Sequence, residues 1–199
     1  MKLLIARHAQ TKDNENNVIQ HGKSELSEKG LKQISTLIKR LEKEKIDIII
    51  SSDYDRCKIT SEKIAENFNL PVEYNKLLRE KNDGDWVGKS GKEVDWDSLD
   101  GEFETRRAPN GENLLEVRAR GIKFYEEIFS KYGQTQEIIL IASHSTILRL
   151  LIGHLIGLNI KDSIFNFAID NCSLTEIDVN PKYKKGYQLK YLNEKSFLI

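Results

Sequence analysis

Three short, mainly apolar runs, Leu3 to Ala6, Ile46 to Ile50 and Ile138 to Ala142, each stop abruptly at polar or charged residues. Stretches with helical spacing separate them. Such runs read as strands buried on both faces, which occur where helices cover both sides of a parallel sheet. Ser27 is placed to cap a helix over 28–44, in which Leu31, Ile34, Leu37, Ile38 and Leu41 share one face. Residues 53–69 read as a second helix, stopped by Pro71, and Val72 to Tyr74 as a third strand. A helix over 112–132 precedes the strand at Ile138, and another follows over 146–158. In the tail, Thr175, Ile177 and Val179, then Tyr187, Leu189 and Tyr191, alternate as antiparallel edge strands do. The expected fold is therefore α/β: a three-layer sandwich with a mostly parallel sheet and helices on both faces. A single domain spanning 1–199 is expected, with 80–110 a polar insertion across the surface.

Composition narrows the class. Lys plus Arg and Asp plus Glu both number 31, so there is no electrostatic footprint for nucleic acid or an anionic membrane, and an anion must be bound locally. Hydrophobic residues make up 39%, enough for a substantial core. Two cysteines, Cys57 and Cys172, show no zinc-ligand spacing and are expected as free thiols. With only Leu3 to Ala6 before Arg7, no signal-peptide core is expected, and the chain reads as cytoplasmic. The apolar stretch Ile147 to Leu158 is broken by Arg149 and His154 and is too short to span a bilayer.

In a parallel α/β sheet, ligands bind at the carboxyl ends of the strands. Arg7-His8 follows the first strand, Ser51-Ser52 follows the second with Arg56 one turn into the next helix, and Ser143-His144-Ser145 follows the fourth. Two arginines and two histidines thus reach one edge. Guanidinium forks match phosphate oxygens, and their charge holds a nearby imidazole neutral, leaving a ring nitrogen free to attack phosphorus. One histidine can attack while the other stabilises charge. No metal is expected, because the arginines would repel a cation and no carboxylate adjoins either histidine. The segment Gly84-Asp85-Trp86-Val87-Gly88-Lys89-Ser90 is one residue short of a nucleotide-binding loop and follows no clear strand. Trp86 and Trp96 are expected as packing anchors, Trp86 also as a wall of the pocket.

These residues carry a resemblance. Arg7-His8-Ala9-Gln10-Thr11 with Asn14 resembles the Arg-His-Gly signature of the histidine phosphatase superfamily, which includes the cofactor-dependent phosphoglycerate mutases. Leu26 to Gly30 is similar to that family's Leu-Thr-Glu-Lys-Gly helix start, and Ser51 to Arg56 to its Ser-Ser-x-x-x-Arg segment. Leu78-Arg79-Glu80 with Gly84 to Gly88 resembles its acid-bearing stretch. Pro109 to Asn113 resembles its Pro-x-Gly-Glu-Ser turn, and Ser143-His144-Ser145 its Ser-His-Gly.

The resemblance implies His8 as the phosphorylated nucleophile, Arg7, Arg56 and His144 as the phosphate pocket, Glu80 as proton donor and Asn14 as a further phosphate contact. Thr11, Gln20, His21 and Ser145 are the remaining candidate substrate contacts. The implied activity is hydrolysis of a small phosphorylated metabolite through phosphohistidine, without metal or organic cofactor. Its alternatives are a cofactor-dependent phosphoglycerate mutase and a non-catalytic phospholigand-binding protein. Departures from the pattern are Ala9 and Ser145, where the family has glycines, and the stretch His21 to Glu25, which lacks the family's proline. Ala9 is expected to place a methyl near the phosphate loop.

Overall fold

The structure, a computed structural model, describes residues 1–198. The strands are β1 (Lys2–Arg7), β2 (Ile48–Ser51), β3 (Val72–Tyr74), β4 (Ile138–Ser143), β5 (Leu174–Val179) and β6 (Tyr187–Glu194). The α-helices are α1 (Lys12–Glu15), α2 (Glu28–Leu41), α3 (Asp55–Phe68), α4 (Leu114–Tyr132), α5 (Ser145–Ile156) and α6 (Ile160–Phe165). The strands form one sheet in the order β3-β2-β4-β1-β5-β6. From β3 to β1 it is parallel, while β5 and β6 are antiparallel additions. The tail strands are thus antiparallel as expected, but only β6 is an edge. β5 pairs with β1 on its other side, and its burial follows from that central place.

The continuous apolar runs are explained by the two faces. Leu3 and Ile5 of β1 pack with Phe124 and Ile128 of α4 and with Leu148, Leu151 and Ile152 of α5. Their neighbours Leu4 and Ala6 point the other way, to Ile34, Leu37 and Leu41 of α2 and Ile64 and Ala65 of α3. A third cluster joins Leu114 and Val117 of α4, Ile147 and Leu150 of α5 and Ile160 of α6.

Caps set the helix boundaries. The Ser27 side chain accepts from the Gly30 amide at the start of α2. Gly30 itself is required by packing, since a Cβ there would lie 2.1 Å from the Gln10 carbonyl oxygen. The start of α2 is thereby pressed onto the loop that follows β1. At its far end α2 stops at Leu41, three residues before the expected end. The helix α3 ends where Asn69 turns left-handed (φ 53°), ahead of Pro71, and α4 begins two residues later than expected, at a reciprocal cap between Asn113 and Glu116. Helices α1 and α6 span four and six residues, too short for a hydrophobic period to announce them.

Residues 80–110 are not uniformly surface. Lys81, Trp86 and Ala108 are buried, whereas 88–107 contain no buried residue and no helix or paired strand. The two ends are clasped: the Asp85 amide donates to the Pro109 carbonyl (2.9 Å) and the Glu112 amide to that of Asn82 (2.7 Å). Gly84, at φ +52°, permits this approach, because a Cβ there would meet the Pro109 oxygen at 2.0 Å.

Candidate active site

Parallel pairing of β1, β4 and β2 brings their carboxyl ends together, and the loops beyond them meet. Arg7 lies opposite Ser143 in register, and Ser51 opposite Ala142. His8, Arg56 and His144 converge there, all buried. The Arg56 Nε–H points between the imidazoles, 3.3 Å from His8 Nε2 and 3.1 Å from His144 Nδ1. A guanidinium nitrogen only donates, so both ring atoms facing it are acceptors. The opposite nitrogens are satisfied accordingly: His8 Nδ1 donates to the Ala9 carbonyl (2.8 Å), and His144 Nε2 to Ser52 Oγ (2.8 Å). One arginine thereby fixes both tautomers, its N–H taking the lone pair of each ring.

Electrostatics favours the neutral imidazoles. Burial, then the charges of Arg56 and Arg7, pushes His8 well below the ordinary histidine value. Burial and Arg56 do the same to His144, with smaller contributions from His8 and Arg7. Arg56 is anchored by its Nη1, which donates to the His21 carbonyl at 2.6 Å. Arg7 Nη1 donates to the Ile169 carbonyl (2.8 Å), while its Nε is buried without a protein partner. Buried donors held at a carboxyl edge by two arginines make a local anion site. Cys57, whose thiol lies 3.4 Å from His144 Nε2, is pushed by burial up to about 12 and is no nucleophile.

Glu80 approaches from the loop after β3. Its carboxylate accepts from the amides of Thr146 (3.1 and 3.2 Å) and Ile147 (3.3 Å) at the N-terminus of α5, and from the amide of Lys81 (2.9 Å). Helix N-termini hold carboxylates in this way. The loop itself is gripped by Arg120 of α4, which donates to the carbonyls of Leu77 (2.8 Å), Arg79 and Glu80 (3.0 Å) and to both carboxylate oxygens of Glu112 (2.9 and 3.0 Å). The sequence does not announce Arg120, because most of its partners are backbone carbonyls far along the chain. Glu112, in the turn already noted as a motif, was the available signal.

The remaining candidates divide. Thr11 is buried, its hydroxyl accepting from the Asn14 amide (3.0 Å) and donating to Gln20 Oε1 (3.0 Å), so its place is structural: it caps α1. Asn14 Oδ1 closes that capping box on the Thr11 amide, and accepts from Asn171 Nδ2 (3.4 Å), which also donates to the His8 carbonyl (2.9 Å). Asn171 is thus a support of His8 that no motif in the sequence announces. Gln20, His21 and Glu80 line a cavity of about 390 Å³ with Tyr54 and Arg79. Ser145 opens α5 directly after His144. The Ala9 methyl, expected near the phosphate loop, packs in the apolar cluster with Ala6 and Ile34, so the missing glycine costs the anion site no room. Trp86 is buried edge-on against Trp96, with centroids 4.5 Å apart, and serves as an anchor of the insertion. Among the described residues no three His, Cys, Asp or Glu side chains group as metal ligands, and no helix is long and apolar enough to cross a membrane.

The fold and this edge define a class: an α/β protein that carries a buried His-Arg-His cluster at the carboxyl ends of its parallel strands. The match to known families is direct, and the chain belongs to the histidine phosphatase superfamily (branch 1), whose family model covers residues 3–194. It is 25% identical to the adenosylcobalamin/alpha-ribazole phosphatase of Escherichia coli, over 98% of this chain and 97% of that protein. It is 32% identical to a 2,3-bisphosphoglycerate-dependent phosphoglycerate mutase of Bartonella quintana, over 81% of this chain and 84% of the other. Among solved structures, mycobacterial glucosyl-3-phosphoglycerate phosphatase in complex with VO3 superposes with a TM-score of 0.84 at 25% identity, covering 98% and 99% of the two chains.

Proposed function

We propose that this chain hydrolyses small phosphomonoesters, with His8 as the nucleophile. The chain is a phosphoric monoester hydrolase of its family. The observation that carries the mechanism is the single Arg56 Nε–H shared by His8 Nε2 and His144 Nδ1, which orients two neutral imidazoles toward one anion position. In this reading the phosphoryl group takes the Arg56 N–H over from both rings: Arg7 and Arg56 bind its oxygens, His144 joins them once its Nδ1 carries a proton, and the freed His8 Nε2 attacks in line. The N–P bond forms as the ester P–O bond breaks, and Glu80, which enters the step protonated, gives its proton to the departing alkoxide. Water then attacks the phosphohistidine, Glu80 takes its proton, and His8 leaves as phosphate is released.

The arginines supply the positive charge that a metal supplies elsewhere, so the mechanism is metal-independent. Two buried free cysteines fit a reducing compartment, and we place the enzyme in the cytoplasm. The mutase relative keeps a second outcome in view: return of the phosphoryl group to substrate instead of water. Release of inorganic phosphate from a panel of phosphorylated metabolites, run beside interconversion of 2- and 3-phosphoglycerate, separates the two. Phosphate release with no interconversion is expected.

A further inference from the structure

A cavity of about 490 Å³ lies on the α5 side of Glu80, between the starts of α4 and α5, the end of α6 and the exposed insertion. Its walls are aromatic and aliphatic: Trp96, Phe103, Leu114, Ile164 and Phe165. Phe165 is 63% exposed, and with Trp96 and Phe103, whose ring lies 5.2 Å from that of Phe165, it gives the cavity a contiguous aromatic rim. The charges around it cancel in pairs, Lys81 with Asp83 and Arg106 with Asp97 (2.9 Å). Arg149 is the exception. Among the described residues it has no carboxylate in ion-pair range; its Nη1 donates to the Ile164 carbonyl (2.7 Å), and its buried Nε has no partner. Arg149 stands one turn beyond Thr146, the residue whose amide holds the Glu80 carboxylate, and both line the cavity.

We propose that this cavity receives the alcohol part of the substrate, and that the substrate is a phosphomonoester of an alcohol carrying an aromatic ring with an oxygen acceptor for Arg149. The assignment rests on the hydrolase reading, in which Glu80 protonates the ester oxygen: Thr146, whose amide holds the Glu80 carboxylate, and Lys81, next to Glu80 in the chain, both line this cavity and join it to the proton donor. The alcohol extends from the group that protonates it, and the walls there are flat and apolar with one unmatched cation. The polar cavity that Glu80 itself lines offers Gln20, His21 and Tyr54 in place of an apolar wall.

Binding of phosphonates, in which a methylene replaces the ester oxygen, tests the cavity independently of turnover. We expect 2-phenylethylphosphonate to bind on the order of tenfold or more tighter than ethylphosphonate by calorimetry. A para-carboxyl on the ring should add about another tenfold, as a charge-assisted contact does. Phe165→Ala, at an exposed position, should remove most of the ring preference, and Arg149→Gln only the carboxyl preference. Equal binding of both phosphonates, a preference unchanged in Phe165→Ala and Trp96→Ala, or one lost in Tyr54→Ala instead, would overturn the assignment. Phosphonate preferences as stated without hydrolysis of any ester would leave the cavity standing and sink the hydrolase reading.

Discussion

The carboxyl edge of the sheet and the segment 88–107 are built on opposite principles. At the edge, His8, Arg56 and His144 are buried, and each ring nitrogen has a partner. In 88–107 every residue is exposed or half-buried, and the backbone is held by turns, by the clasp at its ends and by hydrogen bonds of Gly88, Lys89 and Gly91 to Asn17 and Ile19. Strand register positions the first; turns and a short pairing with residues 17–19 position the second. In the proposed reading the chemistry belongs to the sheet, and selectivity to the segment whose Phe103 meets Phe165 of α6.

The largest effects should come from the edge. Arg56→Ala removes the donor shared by two imidazoles and the bond to the His21 carbonyl, each charge-assisted contact contributing about 1.5–3 kcal/mol. A hundredfold or greater loss of kcat/KM is expected, with loss of inhibition by phosphate or vanadate. Unchanged inhibition would remove Arg56 from the anion site.

Next comes Glu80. An alkyl alcohol leaves poorly without a proton, so Glu80→Gln should slow an alkyl phosphate by roughly a hundredfold to ten-thousandfold and p-nitrophenyl phosphate far less, measured on the phosphorylation step in single turnovers. Asp83 is the competing carboxyl group: burial raises it, although its ion pair with Lys81 opposes the shift. A selective loss in Asp83→Asn instead would move the acid there.

The Arg120 grip should matter one step less. Arg120→Lys keeps the charge but breaks the fork on Glu112 and the loop carbonyls. Roughly tenfold lower kcat on an alkyl phosphate is expected, with KM and aryl phosphate turnover little changed, because the effect passes through Glu80. Equal losses on both substrates would show that Arg120 only maintains the fold.

The same neutral imidazoles make stability depend on pH. In the unfolded chain each histidine titrates near 6.5, and in the folded protein His8 and His144 titrate well below it. Below about pH 6.5 the unfolded chain binds protons that the folded one excludes, so stability present above that pH falls as the pH drops. The slope is about 1.4 kcal/mol per pH unit for each histidine. Urea midpoints from pH 7.5 to 5.5 should decline; a flat profile would mean that the edge opens to solvent. At the other extreme, Asp97→Ala, which removes an exposed partner of Arg106, should leave the melting temperature unchanged.

What the sequence made legible follows the same division. The strands β1, β2 and β4 and the residues just past their ends were readable, because burial on both faces leaves an unmistakable run and the next residues must then lie at the ligand edge. Thr11, read as a candidate substrate contact, caps α1 in the fold, and Thr11-x-x-Asn14 is a capping pattern that the sequence does display. Arg120 and Asn171 were not readable: the first grips mostly backbone, the second braces the His8 carbonyl from a turn 163 residues away. Arg149 was seen only as an interruption of an apolar helix, since its meaning depends on what α6 and the insertion bring beside it.

The central claim is that His8, held neutral and oriented by Arg56, takes the phosphoryl group. Rapid quenching of a reaction with phosphorus-labelled substrate, followed by peptide mapping, tests it directly. An acid-labile, base-stable phosphate on His8, formed and lost at rates that account for turnover and absent in His8→Ala, is the result expected. Label on His144, or substantial turnover by His8→Ala, would contradict it.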